Sequence, residues 1–151
     1  VRFEIKNSAD NTWRTLAAGV TDASGVIAVP VIIAQKSQIR LVSEGSWERL
    51  EGKTNEKVIS VVPSVSLSLP PSVKAGATYL VTGQVLPKVA GIKVAVKQNG
   101  KSLGEFITEA SGSFTFNIAP AATGLATYQV IIAAGEKNTA GISDEITVLV
   151  R

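Results

Sequence analysis

The stretch TDASGVIAV at residues 21–29 returns as TEASGSFTF at residues 108–116. A chain of 151 residues that writes one phrase twice is constrained more by that repetition than by its composition, because each half must then fold on one plan. The halves align further. VRFEIK (1–6) matches IKVAVK (92–97), and TWRTLAAGV (12–20) matches the strand ending at Ile107. SQIRLV (37–42) matches ATYQVI (126–131), and KVISVV (57–62) matches EITVLV (145–150).

The second copy displays the whole plan. SVSLSL (64–69) alternates Val65, Leu67 and Leu69 onto one face, and TYLVTGQV (78–85) follows after a Pro-rich break. IKVAVKQNGKSLGEFI reads as a hairpin turning at Asn99-Gly100, a pair suited to the positive φ angles of a two-residue turn. SFTFNI, ATYQVIIAAG and EITVLV complete seven short strands, with turn signals about every 8–12 residues, the spacing of an antiparallel sandwich. No window carries apolar residues at helical spacing for long. The expected fold is all-β: two tandem antiparallel immunoglobulin-like β-sandwich domains.

Residues 64–91 have no counterpart before Val1. Residues 1–63 are therefore expected to form an incomplete sandwich that starts at its third strand, lacking its two N-terminal strands, and residues 64–151 a complete seven-stranded one. Such a truncated sandwich exposes a strand edge and a core face that another strand can cover. The expected donor is an upstream part of the same protein or a neighbouring copy. The first residue being Val1 rather than Met fits a piece cut from something longer. Pro63, with no Gly/Ser tract beside it, predicts a short, semi-rigid joint and end-to-end stacking of the domains.

Composition removes several classes of chemistry. The chain has no Cys, His or Met, so the usual ligands of zinc, haem, copper and iron–sulfur centres are missing, as are Ser–His–Asp and Cys–His pairs. No metal, no cofactor and no catalysis are expected. The 15 basic residues are scattered singly, against nucleic-acid binding. The longest apolar run, GVIAVPVIIA (25–34), is too short to span a bilayer, so no membrane insertion is expected.

GVTDASGVIAV and FITEASGSFTF resemble the T-D-x-x-G turn of bacterial surface sandwich domains: the carboxypeptidase regulatory-like, adhesin B-type and related bacterial Ig-like repeats. The TWRTLAAGVTDASG run is similar to tandem repeats of secreted actinobacterial proteins. The resemblance implies an extracellular or cell-surface stalk, spacer or filament subunit, sometimes an adhesion or carbohydrate-binding module. The Lys–Asn isopeptide cross-link of some adhesin domains is not expected, since EITVLV has no Asn and SVSLSL no Lys.

Candidate sites are few. In the repeated phrase, Asp22 or Glu109 opens a turn and Gly25 or Gly112 takes the conformation other residues resist, a structural role. A calcium loop needs more oxygen ligands than one carboxylate per turn supplies. Trp47, in the loop SWERLEG, and Trp13, at a strand start, are the candidate ligand contacts, since an aromatic face stacks on a sugar ring; a glycan is the candidate ligand. Glu48 and Glu51 read as members of a solvated, charge-alternating loop rather than a glycosidase pair.

Overall fold

In the computed structural model, which describes residues 1–8 and 10–151, every regular element is a strand. No helix among the described residues is long and apolar enough to cross a membrane. The chain divides into two compact units, Val1–Val61 and Val62–Arg151.

The first unit holds one sheet. Its strands are β1 (Arg2–Asn7), β2 (Arg14–Ala18), β3 (Ser37–Ser43), β4 (Gly52–Lys53) and β5 (Lys57–Ile59), in the order β2-β1-β3-β4, with β5 also paired to β3. All the pairings are antiparallel, and a bulge interrupts β1–β2 after Phe3.

The second unit has β6 (Ser64–Ser68), β7 (Ser72–Val73), β8 (Tyr79–Leu86), β9 (Lys93–Gln98), β10 (Lys101–Ile107), β11 (Ser113–Ile118), β12 (Gly124–Ile132), β13 (Gly141–Ile142) and β14 (Ile146–Val150). These build two sheets, β10-β9-β12-β14-β7 with β13 on β12, and β11-β8-β6. Beside the seven strands read from the sequence stand the two-residue β7 and β13; β7 pairs β14 in parallel, which alternation alone does not reveal. The β9–β10 turn uses Asn99 at φ 49° and Gly100 at φ 77°, the left-handed pair a tight hairpin requires.

The two sheets of this unit face each other across one apolar cluster. Val81 and Val85 of β8 and Phe114, Phe116 and Ile118 of β11 meet Val94, Val96, Val130, Ile132 and Val148 of the opposite sheet. Most are wholly excluded from water, and each such side chain stabilises the fold by about 1.5–3 kcal/mol. This is an immunoglobulin-like sandwich in which inward apolar residues alternate with outward polar ones.

Tyr128 is the exception within that core. Its ring is fully buried, and its hydroxyl finds no protein partner among the described residues. Burial raises its pKa above the ordinary value of 10.0. The folded state thus keeps the proton after the unfolded chain has lost it, so this contribution to stability is complete below pH 10 and is lost as the pH rises above it. Tyr128→Phe is expected to stabilise the unit by about 1 kcal/mol at neutral pH, by removing an unpaired polar group. It should also flatten the alkaline loss relative to the parent chain. Urea unfolding at pH 7 and pH 10.5 measures both; an unchanged alkaline difference would refute the assignment.

Superposing the pairings corrects the alignment of the halves. Asn7 lies opposite Ser37 as Gln98 lies opposite Tyr128, so Ser37 is the equivalent of Tyr128, two residues from its place in the SQIRLV–ATYQVI match. Because the shift is even, the faces are unchanged. In the last strand the shift is odd: Ile59 stands opposite Ser37 as Ile146 stands opposite Tyr128, so Ile59, not Val58, is inward. Val58 is accordingly exposed. Ala18 pairs Arg2 as Ile107 pairs Lys93, which leaves the first copy two residues longer between this strand and the repeated turn.

Candidate functional site

The equivalences place Phe3 at the position of Val94, Ile5 at Val96, Ile39 at Val130 and Leu41 at Ile132. In the second unit all four residues are at 0% exposure, roofed by β8 and β11. Of their equivalents in the first unit only Ile5 is buried, while Phe3, Ile39 and Leu41 are half-buried. The same inward face therefore exists in both units and is covered in one. A groove of about 330 Å³ runs over it, lined by Phe3, Ile39, Leu41, Thr54, Asn55 and Lys57 among others.

The segment that ought to roof this face is present without being a strand. β11 is an edge strand whose ladder partner is β8. Its equivalent, residues 26–31, has no such partner and forms no ladder, although Ile27 and Val29 are half-buried between exposed Val26, Ala28 and Pro30. A strand is a property of a pair, so the alternation survives while the hydrogen bonds do not.

The repeated turn shows the same contrast at atomic detail. Asp22 N–H donates to Val26 O at 2.8 Å and Gly25 N–H to Asp22 O at 3.0 Å; Glu109 N–H donates to Ser113 O at 2.9 Å and Gly112 N–H to Glu109 O at 2.8 Å. Gly25 and Gly112 share φ 77°. The Asp22 carboxylate further accepts from the Ser24 and Val26 N–H groups, both at 2.9 Å. Only the second turn is docked: Val85 N–H donates to Gly112 O at 2.9 Å, and the Gln84 amide donates to Ser111 O at 2.8 Å.

The tryptophans lie elsewhere. Trp13 is covered by the Arg40 guanidinium, 4.0 Å from the ring centroid, with Lys6 Nζ at 5.0 Å. Arg40 also binds Glu4 at 2.8 Å, so Trp13 is part of a charged network on the polar face of the sheet. Arg2 joins it through Glu4 and Glu44. Trp47 is 93% exposed, within a tight turn closed by Ser46 N–H donating to Arg49 O at 2.7 Å. The structure does not bring the two together. Glu51 pairs Lys53 at 2.9 Å, and that hydrogen bond and charge hold its carboxyl below the usual range, the reverse of what a general acid needs.

Sequence reasoning missed two residues that shape the face. Gly83 lies opposite Phe114, and a β-carbon there would stand 2.1 Å from the ring's Cζ. Pro30 sits at the position of Asn117. A glycine inside an otherwise apolar strand, and a proline inside a strand pattern, were the available signals.

No known family matches the chain, and no curated protein matches it. Among solved structures it is similar to the fibronectin(III)-like modules of Clostridium thermocellum CbhA, at 19% identity over 57% of this chain and 93% of that one, with a TM-score of 0.46. It is also similar to a superoxide reductase (neelaredoxin) from Ignicoccus hospitalis, at 17% identity over 60% of this chain and 80% of that one, TM-score 0.40. A point variant of that reductase matches at 16% identity over 58% of this chain and 80% of that one, TM-score 0.42. Likenesses this distant say nothing of activity.

Proposed function

We propose that this chain is a non-catalytic structural segment, a stalk, spacer or filament subunit, of a larger bacterial surface or secreted protein. Its first unit is completed by strands supplied from an upstream part of that protein or from a neighbouring copy. One observation supports this reading: the inward face of Phe3, Ile39 and Leu41 is only half-buried, where its equivalent in the second unit is fully buried beneath β6, β8 and β11.

The test follows from the repeat. Placing a copy of residues 64–91 directly before Val1 reproduces the connection that leads into Ile92. The graft is expected to raise the unfolding midpoint of the first unit and to protect the Ile27 and Val29 amides from hydrogen exchange. Unfolding of this unit is read from tryptophan fluorescence, since Trp13 and Trp47 are the chain's only tryptophans and the graft adds none. An unmoved midpoint with unprotected amides would defeat the proposal.

A second reading, a carbohydrate-binding or adhesion module, draws on the 93% exposure of Trp47. Titration with soluble polysaccharides should shift Trp47 emission if that reading is right, and Trp47→Ala should abolish the shift.

A further inference from the structure

The repeated turn and the β1 equivalences fix which residue of the first unit stands where Phe114 stands in the second: it is Ile27. In the second unit the Phe114 ring lies over Gly83 and occupies the space a side chain on β8 would fill. Ile27 has no ring to do this. It leans toward the end of β2, where a β-carbon on Gly19 would meet its Cδ1 at 2.9 Å. A groove of about 350 Å³ stays open beside it, lined by Val1, Gly25, Ile27 and Leu41 among others. Its counterparts in the second unit are Ile92, Gly112, Phe114 and Ile132.

A second observation fixes the direction in which residues 26–31 can pair. Val85 N–H donates to Gly112 O, so along β11 the residues in step with Gly112, namely Phe114, Phe116 and Ile118, exchange hydrogen bonds with β8, while Asn117 turns its N–H away. Pro30 stands at the Asn117 position. The one residue of this segment with no N–H is therefore where none is needed for pairing toward the open face, and Ile27, Val29 and Val31 keep theirs.

We propose that the occupant of this face is an extended strand running antiparallel to residues 26–31, apolar at alternate positions, and carrying a side chain of valine size opposite Ile27, where β8 must have glycine. The inference rests on the strand-acceptor reading above and deepens it into a rule for what the donated strand contains. A large residue on one side and none on the other in the second unit becomes a medium residue on both sides in the first, which keeps the number of non-hydrogen side-chain atoms between the strands the same.

Two grafts of residues 64–91 before Val1 test it, one with glycine and one with valine at the copied position of Gly83, each in the parent chain and in Ile27→Phe. With Ile27 present, the valine graft is expected to lower the unfolding equilibrium constant of the first unit about tenfold relative to the glycine graft, the effect of burying one more aliphatic side chain. In Ile27→Phe the order should reverse. A glycine graft as stabilising as the valine graft beside Ile27 overturns the rule and leaves strand acceptance standing. If neither graft protects the Ile27, Val29 and Val31 amides from exchange, strand acceptance itself fails. Amide protection that appears without a graft and grows with protein concentration would make a second copy's face the occupant, and would equally overturn the proposal.

Discussion

Replacing Gly83 by alanine is expected to destabilise the Val62–Arg151 unit by about 3 kcal/mol, the upper range for inserting one methyl into a filled core. The new β-carbon would lie 2.1 Å from Phe114 Cζ and 2.4 Å from Cε1. The ring cannot simply retreat. Phe114 is 3% exposed and stacked on Phe116 at 6.2 Å, and Phe116 packs in turn on Phe106 at 5.4 Å. Phe114→Leu should relieve the collision, so the double variant is expected to recover about 2 kcal/mol beyond additivity. Urea unfolding followed by the near-ultraviolet circular dichroism of Tyr79 and Tyr128, both in this unit, gives the numbers. Strict additivity would show that Phe114 is not the obstacle.

The two copies of the repeated turn should respond unequally to the same change. Gly25→Ala and Gly112→Ala each place alanine at φ 77°, a conformation that costs an L-residue about 1–2 kcal/mol. At Gly25 nothing lies within 4 Å of the added carbon, so conformational strain is the whole effect. At Gly112 the carbon would meet the Val85 carbonyl oxygen at 2.4 Å and Lys88 Cα at 3.1 Å, backbone atoms that cannot swing aside. Gly112→Ala is thus expected to cost about 3 kcal/mol or more, losing the docking of the turn on β8 as well. Tryptophan fluorescence reads the first variant and tyrosine dichroism the second. Equal costs would mean that the undocked turn is held by contacts as close as the docked one.

Much of this architecture could be read from side-chain alternation. Phe114, Phe116 and Ile118 announce an inward face, and Asn99-Gly100 announces its hairpin, because period-two burial and positive φ are written in single residues. What escaped depends on partners. VIAVP carries the same alternation as SFTFN, yet only the latter forms a ladder, since β8 stands beside it. The inward residue of the last strand of the first copy, Ile59 and not Val58, is set by cross-strand register, which a lone strand does not encode. The two-residue parallel contact of Ser72 and Val73 with β14 is too short to leave a periodic signal. For the open face, the sequence supplied its residues, Phe3 and Ile5 among them, and the missing counterpart of residues 64–91. The complementarity of Gly83 to Phe114 became visible only when the two were seen across from each other.

Pro30 has a further consequence for behaviour in crowded solution. A segment whose outer margin lacks a donor is a poor template for stacking extended chains, so sheet growth on that side stalls after the first addition. The stretch around it, GVIAVPVIIA, is the chain's longest apolar run, and a proline inside such a run is the kind of residue that limits cross-β stacking.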